Sequence, residues 1–168
     1  AGTNKLIFGT LEYLDYKLYV SDGTPNGTQL IHTTAIGKYS NFLEVNGTIY
    51  FTIGNNVNST SLWKTDGTNQ GTILIKGNIG AKNLYKFNNT LYFVGYTAAT
   101  GNELWKSDGT SAGTDIIIDR VPGSGDGILF NTKIISHENF LYYISAGSYL
   151  IKSDGTNQLN IEFLNFNL

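Results

Sequence analysis

Short runs of apolar residues, many of them aromatic or β-branched, recur along the whole chain and are separated by Gly, Asn, Asp and Thr. The most aromatic run returns four times: Ile49-Tyr50-Phe51, Leu91-Tyr92-Phe93 and Leu141-Tyr142-Tyr143 superpose, with Leu6-Ile7-Phe8 as a first copy. Such residues suit a pleated, half-buried surface, and the runs are too short and too often bounded by turn formers to be helices. An all-β chain is therefore predicted, with no helix. In the second repeat the pattern gives four strands, a to d, at residues 41–46, 48–53, 61–65 and 72–76. Asn46-Gly47 and Asn88-Asn89 stand between strands a and b, where a tight hairpin requires positive φ.

A second signal fixes the period. Leu62-Trp63-Lys64-Thr65-Asp66-Gly67-Thr68 returns as Leu104 to Thr110, and more weakly as Leu18 to Thr24 and Leu150 to Thr156. The motif aspartates Asp22, Asp66, Asp108 and Asp154 lie 44, 42 and 46 residues apart, the length of one four-stranded propeller blade. The expected fold is a single β-propeller domain over residues 1–168, with repeats at about 1–40, 41–81, 82–131 and 132–168. Each aspartate opens an Asp-Gly-Thr-x-x-Gly-Thr turn, whole in three copies, where a carboxylate accepts hydrogen bonds from nearby N–H groups and Gly supplies the left-handed conformation. All four are read as structural turn clamps. A residue that occurs once per blade is spread around a ring, so the copies cannot converge on one substrate atom. Trp63 and Trp105 share a repeat position with Tyr19 and Ile151, as a filler between blades would.

The two ends suggest how the ring closes. The first repeat enters at strand b, without a strand a of its own. Leu164-Asn165-Phe166-Asn167 resembles Leu84-Tyr85-Lys86-Phe87-Asn88 and is expected to pair into the first blade as a clasp, protecting its edge. The alternative is that the ending forms one long strand d and a second chain completes the ring. A closed monomer is preferred here over a half-ring homodimer.

Composition narrows the partners. Charged residues are 14% of the chain and the net charge is −2, so no basic field is offered to nucleic acid or an anionic lipid surface. No apolar run approaches the roughly 20 residues of a spanning helix. Cysteine is absent, which removes disulfides and thiolate metal sites. An Ala1 start without methionine suggests a processed, trimmed or recombinant end. His32 and His137 fall at ordinary strand positions, with no second histidine at ligand spacing. Asp119, Asp126 and the glycines Gly123, Gly125 and Gly127 offer oxygen ligands to calcium, but their spacing is not that of an EF-hand, and a flexible crossover loop is the simpler reading. No cofactor or metal is expected. Glu103 has no carboxylate partner at a spacing that suggests a glycosidase pair, and no nucleophile with its base is visible, so no enzyme is expected. The loops between strands b and c carry Tyr13 and Tyr16, Asn55 and Asn56, Tyr96 with Asn102, and Ser148 with Tyr149. Aromatic planes beside hydrogen-bonding groups suit a glycan or a protein, and Tyr13, Tyr16, Tyr96, Asn102 and Tyr149 are the candidate ligand-binding residues.

Glu103-Leu104-Trp105-Lys106-Ser107-Asp108-Gly109-Thr110-Ser111-Ala112-Gly113-Thr114 resembles the ELWxxDGT repeat family nearly residue for residue. Asp119-Arg120-Val121-Pro122-Gly123-Ser124-Gly125 resembles its Asp-x-x-Pro-Gly-Ser linker. The third repeat is closest to that consensus: Ser61 and Lys17 stand where Glu103 does, and the fourth repeat has Leu159-Asn160 in place of Gly-Thr. The resemblance implies a propeller-like array in a secreted or surface protein of bacteria, with export and no defined enzymatic activity. The functional expectation is a secreted or cell-surface binding or adhesion module that meets a glycan or protein at its face loops. The alternative is a structural scaffold or assembly component of a surface or secretion-related complex with no small ligand.

Overall fold

A computed structural model describes residues 5–156 and the backbone of Leu164–Asn165. Every described element is a strand, and all pairings are antiparallel. The first sheet holds β1 (Leu6–Glu12), β2 (Asp15–Ser21) and β3 (Gln29–Thr34). The second holds β4 (Tyr39–Val45), β5 (Thr48–Ile53), β6 (Ser61–Thr65) and β7 (Ile73–Lys76). The third comprises β8 (Lys82–Phe87), β9 (Thr90–Thr97), β10 (Gly101–Ser107) and β11 (Asp115–Ile116). The fourth comprises β12 (Ile135–His137), β13 (Phe140–Ile144), β14 (Tyr149–Ser153) and β15 (Leu164–Asn165). Each is a meander of neighbours in sequence, one per repeat, and among the described residues the first has three strands and the others four. The a-to-b turns take the left-handed conformation that their residues allow, with φ of 53° and 82° at Asn46 and Gly47 and 44° and 61° at Asn88 and Asn89.

Alternation along each strand places one side chain on the preceding sheet and the next on the following one. In β5, Phe51 packs back into a core with Leu18, Val20 and Ile31 of the first sheet, whereas Tyr50 packs forward. In β9, Phe93 lies back against Leu62 and Ile75 of the second sheet, while Tyr92 and Val94 face Leu141, Tyr143 and Ile151 of the fourth. Three apolar clusters result, joining sheets one to two, two to three and three to four. The large side chains at their centres, Phe51, Phe93 and Tyr143, are at most 2% exposed. Trp105 is buried in the middle cluster and Trp63 packs half-buried on the first, stacked on Phe51 at 6.4 Å between ring centroids. Both tryptophans are packing residues at the sheet joints.

One expectation is corrected. The C-terminal segment does not clasp the first sheet: Tyr149 pairs with Asn165 and Leu150 with Leu164, making this segment the outer strand of the fourth sheet. The reason is reach. The ending has no spacer of the kind that carries the chain from one outer strand across to the next inner strand, and the nearest unpaired edge is β14 of its own sheet. The rest of the proposed clasp, Phe166 and Asn167, lies outside the described residues, as does Leu159-Asn160.

Candidate functional site

The repeated turn shows why its residue types are needed. In the third copy Asp108 Oδ1 accepts from the Thr110 N–H at 2.8 Å and from the Thr110 hydroxyl at 2.7 Å. Ser107 Oγ accepts from Gly109 N–H at 3.0 Å and pairs with Thr114 Oγ1 at 2.6 Å. Thr110 Oγ1 then accepts from Gly113 N–H at 2.9 Å, and Thr114 donates back to the Thr110 carbonyl at 2.6 Å. The same bonds recur around Asp22 and Asp66, and Asp154 makes the two to Thr156. Hydrogen bonds from threonine hold all four carboxyls below the usual carboxylate range. The second glycine serves a different end from the first: a Cβ on Gly27, Gly71 or Gly113 would overlap the motif carboxylate. Gly113→Ala is therefore expected to lower the thermal midpoint at least as much as Asp108→Ala, which loses two accepted hydrogen bonds and a few degrees. Thermal denaturation followed by circular dichroism reads both.

Glu103, at the head of the third motif, is buried at 1% exposure. Segment 120–127 wraps it, and the backbone N–H groups of Arg120, Val121 and Gly127 face its carboxylate. Gly127 comes so close that a side chain there would displace the carboxylate. Burial nonetheless raises its pKa to about 7, aided by the charge of Asp119 and opposed by the backbone donors. Asp126, one of the conceivable calcium ligands, accepts instead from the backbone N–H and side-chain amide of Asn102 at 2.7 and 2.9 Å. The crossover loop is thus fixed, not loose, with Gly127 and Ile128 both donating to the Asn102 carbonyl. Among the described residues no group of three or more His, Asp or Glu is placed to hold a metal ion. A carboxyl protonated near neutrality can act as a general acid, but Glu103 is enclosed by backbone and serves to pin the loop.

The five candidate ligand-binding residues occupy three different sheets. Tyr13 sits at the β1–β2 turn with φ of 59° and is almost wholly exposed. Tyr16 packs into the cluster between the first two sheets. Tyr96 and Asn102 are cross-strand partners in the third sheet. Tyr149 begins β14, packs against the third cluster and covers Gly147. His32 bonds Tyr39 at 2.7 Å beside Trp63, and His137 lies exposed on β12.

A groove of about 420 Å³ lies where the second and third sheets meet the crossover segment that leads to the fourth. Asn41 and Asn55 come from the second repeat, Lys82 and Asn83 from the start of the third, and Phe130 and Asn131 from its closing crossover. Asn41 and Asn83 hold equivalent left-handed positions, φ 54° and 53°, where the inner strand breaks register. Asn41 donates to Thr52 Oγ1 at 3.0 Å, and Asn83 to the Thr132 carbonyl at 2.9 Å. Lys82 forms the floor: it is 8% exposed, donates to Asn102 Oδ1 at 2.6 Å and lies 4.2 Å from the Phe130 ring centroid. Burial lowers its pKa, and the charge of Asp126 opposes this. Phe130 keeps 40% of its surface exposed. Sequence reasoning named Asn55 and Asn102 in this region but missed the rest. The available signal was an asparagine recurring inside two inner strands at one register position, where β propensity disfavours it.

The sequence matches no protein-family model and no curated protein. Among solved structures, the chain is similar to an engineered GH43 glycoside hydrolase displaying endo-xylanase and exo-arabinofuranosidase activity, with a TM-score of 0.43 and 14% identity over 98% of this chain and 38% of that one. It is also similar to an α-L-arabinofuranosidase, CtGH43, from Clostridium thermocellum, with a TM-score of 0.38 and 11% identity over 94% of this chain and 71% of that one. The chain thus spans well under half the length of the first of these proteins.

Proposed function

We propose that this chain is a non-enzymatic, secreted or cell-surface β-propeller of the ELWxxDGT repeat type, built from four blades, that binds a glycan in the groove between its second and third sheets and the crossover at 130–131. The observation that carries the reading is the convergence of two sheets and a crossover segment on one concavity, where amide side chains surround a half-open aromatic ring. A sugar presents an apolar C–H face and a rim of hydroxyls. Phe130 suits the first, and Asn41, Asn55, Asn83 and Asn131 suit the second. The buried Lys82 ammonium is already held by Asn102 beside Asp126, so the groove favours a neutral sugar over an acidic one. A protein ligand is the second occupant that the same chemistry admits.

A glycan array on the 168-residue chain, followed by calorimetric titration of the best ligand, tests this. Phe130→Ala is expected to weaken binding about tenfold, the value of about 1–1.5 kcal/mol for an aromatic contact, while Tyr13→Ala leaves it unchanged. The reverse result would move the site to the b-to-c loops. The scaffold reading draws on a separate observation, the uncovered apolar face of the fourth sheet, and silence on the array would favour it.

A further inference from the structure

The joints from the second sheet to the third and from the third to the fourth repeat one set of contacts, whereas at the first joint Ile7 and Val20 stand where the later ones have tyrosine and lysine. The strand-b tyrosine reaches forward to the Asp-Gly-Thr turn of the next sheet: Tyr92 Oη donates to the Gly155 carbonyl at 3.0 Å, and Tyr50 Oη lies against Gly109. The strand-c leucines Leu62 and Leu104 fill the forward cluster, and the charge of Lys64 favours the carboxylate of Asp108 across the joint. The fourth sheet presents the same forward set, Tyr142, Leu150 and Lys152, at the same register positions. Among the described residues no sheet covers it. Instead Tyr142, Ile144 and Leu150, with Leu129 and Ile135, line an apolar groove of about 430 Å³. Ile135 is 55% exposed there.

The other half of a joint stands at the opposite end of the chain. The backward face of the first sheet carries Leu6, 62% exposed, and Phe8 stacked on Tyr19 at 5.6 Å. Its Asp22 turn has open space around Gly23, where Gly109 and Gly155 each meet a tyrosine hydroxyl. We propose that the forward face of the fourth sheet receives the first sheet of a second copy of this chain, head to tail, with Tyr142 donating to the carbonyl of Gly23 and Lys152 facing the Asp22 turn. The occupant follows from the joints that the chain already makes. The two uncovered faces are the missing halves of a fourth joint, apolar against apolar, with a lysine opposite a carboxylate. The contact is heterologous, so two copies close into a ring if the turn per sheet permits, and otherwise grow into a chain.

Sedimentation velocity over a concentration series tests the proposal. The native chain is expected to associate, and Ile135→Lys, at an exposed position that leaves the core alone, is expected to raise the dissociation constant at least tenfold. Phe8→Asp is expected to do the same from the other face. Because head-to-tail contact joins unlike faces, mixing the two variants should restore a heterodimer, each supplying the face that the other has lost. Tyr142→Phe, which removes only the hydroxyl, should weaken association several-fold while leaving the melting curve of the dilute monomer in place. A chain that stays monomeric to near-millimolar concentration overturns the proposal, including by closing on its own first sheet. Association that Ile135→Lys leaves unchanged, or that mixing does not restore, overturns it as well.

Discussion

Phe93→Ala is expected to lose about 3–5 kcal/mol, the usual cost of emptying a closed aromatic site. For a chain of this length that is a fall of roughly 6–20 °C in the unfolding midpoint, a large share of the about 5–15 kcal/mol that holds a typical domain folded. Phe93 is fully buried in the joint between the second and third sheets, 5.9 Å from the Trp105 ring. Neighbouring backbone is locked in strand pairing on both sides, so the cavity has little freedom to collapse. Phe51→Ala should cost about as much, since it holds the same position one joint earlier. Phe8 occupies that position in the first sheet, stacked on Tyr19, but among the described residues it belongs to none of the apolar clusters. At concentrations where the chain is monomeric, Phe8→Ala should therefore cost well under half as much. Denaturant titration of the three variants gives the ranking directly. Equal losses at all three positions would mean that the first sheet is covered by another sheet, as the middle ones are.

That gradient marks how far the sequence could be read. The aromatic run of strand b and the Asp-Gly-Thr turn are local signals: β-branched and aromatic residues choose the pleat, and Asn, Gly, Asp and Thr choose the bends. The strands at 48–53 and 61–65 in the second repeat accordingly fall where the pattern puts them. Whether Phe51 or Tyr50 faces the previous sheet is also written in the alternation, once a neighbouring sheet is assumed. The partner of the C-terminal strand was not legible in this way. Its residues suit any open edge, and reach, not composition, selected β14. The groove stayed hidden for a related reason. It is made by side chains 41, 83 and 130, which come together only when the second and third sheets stack and the crossover folds back, and its floor is a lysine that composition alone would place in solvent. Glu103 was visible as part of a motif, but its enclosure by residues 120–127 depends on a loop that folds back across its own sheet.

Glu103→Gln is expected to flatten the pH dependence of stability between about 4.5 and 7. The folded chain raises this carboxyl from 4.5 to about 7, first by burial and then through the charge of Asp119, so the native state holds a proton there that the unfolded chain gives up. Stability from that proton is complete below pH 4.5 and is lost as pH rises through 7. Ionisation then leaves a charge in a site where, among the described residues, Oε1 finds no partner and Asp119 Oδ1 and the Tyr143 hydroxyl are also buried without one. The native chain should therefore lose on the order of 2–3 kcal/mol across this window, and the glutamine variant should not. The motif aspartates act in the opposite sense. Their pKa values are lowered, so the stability they contribute is present above the unfolded value of 3.8 and is lost as pH falls further, equally in both proteins. The two effects together place the stability maximum of the native chain on the acid side of neutrality. In the variant the plateau extends to pH 8. Thermal midpoints at half-unit intervals from pH 3 to 8 separate the arms, and parallel curves for the two proteins above pH 4.5 would show that Glu103 ionises freely and does not pin the loop in the way its burial implies.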